Sequence, residues 1–436
     1  MPELSPRPSR RAVLTGAVGA ALVGASTTHA PSAAAATSRP IWTLAWRDGE
    51  LTWSAQARVS YTDPYRPGAV PTTYDSKVWS SGEIRPPFPF TELVPSWNIR
   101  TPVLTWAQVE VRVRTATAWS GWFVMGRWSD LDPALGGAIH RTSVAGQSSA
   151  IARVSTDTVV AMSGVRLVGY EVRVRLLRPV GTWAWPRATM VTVMASSLPS
   201  GPVSTSRTGV GAGVALPVPP LSQDVHRGHY PQFDGGGEAW CSPTTTAMLL
   251  RYWGVGPTPS QLSWVNPSVD ADVDFAARSV YDYAYQGAGN WPFATGYAAR
   301  FGLRSFVTRL RSLAEAEQFV ARGIPLGASV AFASSELSGA GYSTAGHLLV
   351  ISGFTATGDV ICHDPAAHLI ADNRQVRVVY DRGQFENVWV PRSGGLVYVM
   401  HPPAVELPAP LAAEPNWPGA QRRRDVPVRL RPPRPW

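Results

Sequence analysis

Two patterns of hydrophobic and polar positions divide the chain. From about residue 40 to 200, short stretches alternate apolar and polar residues, as at residues 109–114 and 170–175. Such alternation places the apolar side chains on one face of a half-buried strand. Glycine, proline, serine and aspartate separate these stretches, and no long segment repeats every 3.6 residues. Residues 40–200 are therefore predicted to form an all-β domain of two antiparallel sheets packed as a sandwich.

Residues 220–402 follow a mixed pattern of helices and strands. Helices are predicted at residues 242–253, 274–285, 292–300 and 312–322, where capping residues or a terminal glycine mark the ends. Strands are predicted at residues 326–332, 348–354, 360–363, 376–380 and 396–400. Helices followed by mostly antiparallel strands are the order of an α+β domain. The expected fold class is therefore multidomain, with an all-β sandwich followed by an α+β domain.

The remaining segments carry signals of targeting and flexibility. Residues 1–36 combine the pair Arg10-Arg11, a weakly apolar stretch and small-residue cleavage sites, which predicts a twin-arginine-type signal peptide. We therefore expect a secreted, extracellular or cell-wall-associated protein with no transmembrane segment after signal removal. Residues 201–219 are interpreted as a linker, and the Pro- and Arg-rich residues 403–436 as a disordered tail.

Composition excludes several classes of protein. With 44% hydrophobic and 16% charged residues, the chain can bury cores and is not disordered as a whole. Two cysteines exclude a disulfide scaffold and a cysteine-rich zinc module. The net charge of +9 is carried almost entirely by arginine, because Lys77 is the one lysine. No phosphate loop or nucleic-acid motif occurs, so neither a nucleic-acid partner nor a cofactor is expected.

One cysteine has a sequence context that favours reactivity. Cys241 follows the glycine-rich residues 235–237 and immediately precedes a predicted helix. The helix dipole and the unpaired N–H groups at a helix start favour thiolate over thiol. The other interpretations of Cys241 are a small buried hydrophobe or a structural disulfide with Cys362 in an exported protein.

A histidine and an aspartate downstream suit this thiol. His347 begins an apolar strand, and Asp364 ends the strand predicted to pair with it. A nucleophile at a helix start, a base on one strand and an acid on its neighbour form a Cys-His-Asp arrangement. The histidine would take the thiol proton, and the acid would orient the imidazole. By contrast, His226 and His229 lack a convincing third ligand, so no metal site is predicted.

The C-terminal pattern resembles a known family. Residues 220–401 look like the C39-like peptidase domain, a branch of the papain-like cysteine peptidases, through residues 218–223, 230–244, 346–347 and 364–365. The resemblance implies a papain-like fold with Cys241 as nucleophile, His347 as base and Asp364 as orienting acid.

The resemblance also implies a glutamine upstream of the cysteine that helps bind the oxyanion. Gln223 ends a Val-Pro-containing lead, whereas Gln232 stands nine residues before Cys241, and we favour Gln223. Ser242 replaces the glycine that usually follows the cysteine, and no ABC-transporter motif is present. Cleavage of double-glycine leaders during export is therefore not expected.

The N-terminal domain is similar to the β-rich region that accompanies this peptidase in exported bacterial proteins, through residues 90–98 and 121–128. This resemblance assigns no activity. Eleven of the 18 tryptophans lie in residues 40–200, where they form either sugar-binding platforms or, as we favour, packed core.

Together these features predict an exported cysteine peptidase that hydrolyses amide bonds of a peptide or protein through a thioester intermediate. The alternatives are a binding protein for cell-wall polymer or carbohydrate with a non-hydrolytic C39-like domain, or a peptidoglycan amidase or transpeptidase.

Overall fold

The computed structural model describes residues 39–199 and 201–419. The predicted signal peptide and residues 420–436 of the predicted tail lie outside the described residues. Two five-stranded sheets form the N-terminal domain, and one six-stranded sheet with helices on both faces forms the C-terminal domain. This arrangement confirms the predicted fold class. Among the described residues, no helix is both long and apolar enough to cross a bilayer.

The N-terminal domain is a sandwich of two antiparallel sheets. The first sheet has the order β1–β10–β4–β8–β7, with β1 (Ile41–Arg47), β4 (Glu92–Arg100), β7 (Ala152–Ser155), β8 (Thr158–Ala161) and β10 (Arg187–Ser196). The second has the order β2–β3–β9–β5–β6, with β2 (Ser54–Tyr61), β3 (Thr72–Ser80), β5 (Trp106–Arg114), β6 (Phe123–Trp128) and β9 (Gly169–Pro179). The two alternating stretches noted in the sequence lie side by side, since Val109 pairs with Val174 across β5 and β9.

Most tryptophans of the sandwich serve packing. The buried ones are Trp42, Trp46, Trp79, Trp97, Trp106 and Trp128. Trp119, Trp122 and Trp185 instead pack against the side chains of Arg or Lys on the surface. Trp183 is 92% exposed. The burial of six of these side chains favours the core interpretation over a row of sugar-binding platforms.

The C-terminal sheet has the order β11–β16–β12–β13–β14–β15, and every neighbouring pair is antiparallel. Its strands are β11 (Arg304–Arg309), β12 (Leu326–Phe332), β13 (Thr344–Phe354), β14 (Val360–His363), β15 (Arg377–Tyr380) and β16 (Leu396–His401). Its helices are α1 (Cys241–Tyr252), α2 (Pro259–Leu262), α3 (Ala271–Val280), α4 (Trp291–Ala299), α5 (Leu313–Val320) and α6 (Arg382–Ser393).

Strand β13 separates two hydrophobic cores because its alternate residues point to opposite faces of the sheet. Leu348 and Val350 join the core that includes α1, α3 and α4. Leu349 and Ile351 join the core formed with α5 and α6. A near-continuous run of buried residues in the strand follows from having helices on both sides.

One predicted helix of this domain is wrong in its bounds, and the short helix α2 was not predicted. The helix predicted at residues 274–285 begins at Ala271 and ends at Val280, after which Asp282 and Gly287 pair in a turn. Strand β11 was not predicted, and neither was α6, which contains Gly383 and Pro391. Glycine and proline mark breaks in a sequence pattern, but packing against the sheet overrides these local preferences here.

Helix α4 joins the two domains. Its Phe293 contacts both Trp97 and Trp128 of the sandwich, with ring centroids 6.0 and 5.5 Å apart. Gly126 makes this approach possible, because a Cβ there would lie 2.7 Å from the Trp97 ring. The side-chain amide of Asn98 donates a hydrogen bond of 2.7 Å to the Ser305 carbonyl on β11. The sandwich and the C-terminal domain therefore share a continuous core.

The predicted linker is irregular but closely bound to the C-terminal domain. The buried guanidinium of Arg382 donates to the carbonyls of Ser206 and Arg207 at 2.7 and 3.0 Å. The same guanidinium pairs with Glu317 at 2.7 Å, and Glu317 accepts from the backbone N–H of Gly211 at 3.1 Å. The buried ion pair of Arg382 and Glu317 thus holds residues 206–211 against the C-terminal domain.

The prediction of disorder is wrong for residues 403–419. Trp417 is fully buried, packs on Phe319 at 4.8 Å between ring centroids and donates to the Pro408 carbonyl at 2.7 Å. The buried Asn416 amide donates to the Arg309 carbonyl and to Glu315. A proline-rich composition predicted disorder, whereas one buried aromatic side chain and the hydrogen bonds of Asn416 anchor the segment on the domain.

Candidate active site

The thiol of Cys241 lies at the start of α1, as the sequence predicted. The preceding segment packs tightly on residues 223–226, and a Cβ at Gly237 would lie 2.4 Å from the Gln223 carbonyl oxygen. Trp240 is buried and donates through its indole N–H to the Phe233 carbonyl at 2.6 Å. These contacts fix the turn that presents the half-buried thiol, where the first helical N–H groups have no intrahelical partners.

His347 lies on β13, and Asp364 directly follows the neighbouring strand β14. The antiparallel pairing brings the two side chains together, and Nε2 of His347 lies 2.8 Å from Oδ1 of Asp364. The imidazole also hydrogen-bonds the thiol of Cys241. Since Nε2 faces the carboxylate, Nδ1 is the nitrogen left for the thiol. The three residues predicted from the sequence therefore form one hydrogen-bonded line.

The charges along this line stabilise one another. Burial opposes ionisation of Cys241, but the charge and hydrogen bond of His347 outweigh it and lower the pKa of the thiol. Burial likewise opposes protonation of His347, yet Asp364 and Cys241 raise the pKa of the imidazole to about 10. Burial also opposes ionisation of Asp364, whose pKa is nevertheless lowered, chiefly by the charge of His347. All three shifts therefore favour the charged forms, the thiolate, the imidazolium and the carboxylate.

Two tyrosines that the sequence analysis missed bind the carboxylate of Asp364. The hydroxyl of Tyr342 lies 2.9 Å from Oδ2, and that of Tyr380 lies 2.6 Å from the same oxygen. Tyr342 comes from the connection between β12 and β13, and Tyr380 ends β15. No spacing or motif links either tyrosine to Asp364, because the contacts depend on the strand order of the sheet.

The two candidate glutamines lie in different environments. Gln223 is buried, and its side-chain amide donates to the Glu238 carbonyl at 2.9 Å, three residues before Cys241. Its backbone N–H donates to the Pro365 carbonyl, next to Asp364. Gln232 is exposed. The structure therefore holds Gln223 between the segments that carry the thiol and the carboxylate.

The second cysteine is separate from this line. Cys362 is fully buried in the core on the α5 and α6 side of the sheet, and both cysteines are free. Burial is the main cause that raises the pKa of the Cys362 thiol well above its ordinary value. A disulfide between Cys241 and Cys362, one of the alternatives left open by the sequence, is not formed.

A second polar cluster joins His226, His229 and Asp274. Each imidazole Nδ1 contacts a different carboxylate oxygen of Asp274, at 2.9 and 3.0 Å. The sequence offered no third ligand because Asp274 is distant along the chain. The ligand atoms lie within 4.8 Å of one another, as a metal site requires. The observed distances are those of hydrogen bonds, which tie residues 226–229 to α3.

Comparison with family models matches both domains. Residues 28–196 match the model described as peptidase C39 N-terminal domain, and residues 215–397 match the peptidase C39-like family. The chain is a member of the C39-like peptidase family. A search of curated proteins finds no match. Membership supports a peptidase-type domain in residues 215–397, next to an N-terminal domain of the kind found in this family.

Proposed function

We propose that this C39-like protein is an exported cysteine peptidase that cleaves amide bonds through Cys241, His347 and Asp364. The observation that supports the proposal is the hydrogen-bonded line of thiol, imidazole and carboxylate at the start of α1. A buried ion pair of this kind activates a thiol as a nucleophile. The family whose model matches residues 215–397 is a peptidase family by name, which also supports this proposal.

The reaction begins with attack of the Cys241 thiolate on the carbonyl carbon of a peptide bond. The carbonyl oxygen gains negative charge as the S–C bond forms. The His347 imidazolium then gives its proton to the leaving amine while the C–N bond breaks, leaving a thioester. Water attacks the thioester with His347 as base, releasing a carboxylic acid and restoring the thiol.

The developing oxyanion requires donors near the thiol. The backbone N–H of Cys241 is one candidate, because it belongs to the first turn of α1 and has no intrahelical partner. Gln223 is the other, since its amide carries two N–H groups and the Glu238 carbonyl accepts only one of them. We propose that Gln223 serves this role in preference to Gln232.

Active-site variants test the proposal. Wild-type protein is incubated with denatured casein and a mixed peptide library, and products are identified by mass. Cys241→Ser and His347→Ala are expected to abolish cleavage. Cys362→Val is the matched control, because it changes the other thiol to a side chain of similar size inside the apolar core.

Three results would oppose the proposal. Cleavage at the wild-type rate by Cys241→Ser would exclude a thiol nucleophile. If a folded Cys362→Val variant lost cleavage while Cys241→Ser kept it, Cys362 would be the nucleophile in place of Cys241. Products joined to an added amine instead of water would favour the transpeptidase alternative, in which an amine resolves the same thioester.

A further inference from the structure

Asp364 is held by more donors than an orienting carboxylate needs for one imidazole. Oδ1 accepts from Nε2 of His347 at 2.8 Å and from the backbone N–H of Ala366 at 3.0 Å. Oδ2 accepts from the hydroxyls of Tyr342 and Tyr380 at 2.9 and 2.6 Å. Tyr342 is also 3.0 Å from Oδ1. Both oxygens are thus fixed, and Oδ1 is directed at the imidazole.

We propose that Tyr342 and Tyr380, together called the tyrosine clamp, are positioning residues that keep Asp364 ionised and aimed at His347, and thereby maintain the Cys241 thiolate. The clamp rests on the proposed function for its biological use. Its effect on the thiol can be measured without any peptide substrate.

Burial makes the clamp necessary. Asp364 is fully buried, and Tyr380 and Tyr342 are 0% and 8% exposed, so no bulk water solvates the carboxylate. Burial alone raises the pKa of a carboxyl, and the two hydroxyls are among the groups that lower it for Asp364. The titratable groups that act on Asp364 are His347, Tyr342 and Tyr380, while the charge of Asp364 helps to raise the pKa of the nearby Cys362 thiol.

Neighbouring rings hold the clamp in place. Tyr342 packs edge-on against His347 at 5.5 Å and against Phe332 at 5.1 Å between ring centroids. Tyr380 stacks on Phe385 of α6 at 6.2 Å. Burial raises the pKa of both tyrosines above the ordinary value, so both hydroxyls remain protonated donors at neutral pH. The clamp is therefore a fixed pair of donors and does not titrate with the site.

Loss of these donors changes where the proton rests. A buried carboxylate without them is less well fixed on His347 and its charge is less well stabilised, so it supports the imidazolium less strongly. A weaker imidazolium stabilises the thiolate less, so the pKa of Cys241 moves back toward that of an ordinary thiol. Each lost hydroxyl raises the pKa of Asp364, because a hydrogen bond to its charged form is removed.

The test measures the rate of Cys241 alkylation by iodoacetamide against pH in the full chain, with the modified residue located by peptide mass. Tyr342→Phe and Tyr380→Phe each remove one oxygen and keep the ring. The midpoint of alkylation is expected to move to higher pH in each variant and furthest in the double variant. Tyr297→Phe is the matched control, since its buried hydroxyl has no hydrogen-bond partner in the described structure.

An Asp364→Asn background separates positioning from general damage. If the clamp acts through the carboxylate, its loss adds no shift once that charge is gone. An unchanged midpoint in the folded single variants, or an equal shift in the Asp364→Asn background, would overturn the proposal. A shifted alkylation midpoint in the clamp variants, with no peptide cleavage by wild type, would support the clamp and oppose the peptidase proposal. Peptide cleavage by wild type, with an unchanged midpoint in the clamp variants, would support the peptidase proposal and overturn the clamp.

Discussion

Replacing Gln223 by alanine tests how the site stabilises the oxyanion. The side chain is only 4% exposed, so its N–H groups act where water does not screen them strongly. One of them is used by the Glu238 carbonyl, which fixes the amide at the approach to Cys241. Removing one preorganised oxyanion donor lowers kcat by about 100- to 1,000-fold, or about 2.7–4 kcal/mol. We expect a loss of this size in Gln223→Ala.

The chain supplies its own control for this experiment. Gln232→Ala makes the same chemical change at the exposed glutamine, and wild-type activity is expected. The assay is kcat for the peptide that wild type cleaves best, with alkylation of Cys241 measured on the same samples. Alkylation should be unchanged in Gln223→Ala, because the thiol and His347 remain paired.

The result that would refute the oxyanion argument is equal kcat for wild type and Gln223→Ala. A loss confined to Gln232→Ala would assign the role to the other glutamine. If Gln223→Ala lost both cleavage and alkylation, the residue would instead support the packing of the segment before Cys241.

Two further predictions concern stability. Because Asp364 and Cys241 raise the pKa of His347 from 6.5 to about 10, the protonated ring stabilises the fold fully below about pH 6.5, and this contribution disappears as pH rises through about 10. Asp364→Asn should reduce that alkaline loss in a plot of Tm against pH, and an unchanged curve would contradict the pairing. Trp417→Ala should lower the free energy of unfolding, measured in urea, by about 3–5 kcal/mol. Leu411 is 57% exposed, so Leu411→Ala should change that free energy by no more than about 0.5 kcal/mol. Similar values for the two variants would show that the segment contributes little to stability.

The residues that carry local signals were predictable from the sequence. The start of α1 is marked by Pro243 in the first turn, and β12 and β14 have the predicted bounds. The thiol, imidazole and carboxylate were identified because each stands at the end of a recognisable element. Their convergence requires that β13 pair with β14, as predicted, and that α1 pack against β13.

The contacts that depend on distant parts of the chain were not predictable. Tyr380 reaches Asp364 only because β15 pairs with β14, and Asp274 reaches His226 only through the packing of α3. The prediction of disorder for residues 403–419 was wrong for another reason, since composition averages over many residues, whereas a few side chains such as Trp417 and Asn416 anchor this segment. Pairing order and individual long-range packing are not contained in local periodicity.

The packing of α4 against both domains has a consequence for any ligand that the sandwich binds. A module on a flexible linker presents its ligand at an effective concentration set by linker length. Here Phe293 lies against Trp97 and Trp128, and the linker itself is bound by Arg382. Anything that the sandwich holds is therefore kept at one separation and orientation from Cys241. If the sandwich binds part of a substrate, this arrangement would select substrates by the distance between the bound part and the bond at Cys241, and lengthening the linker would not change that distance.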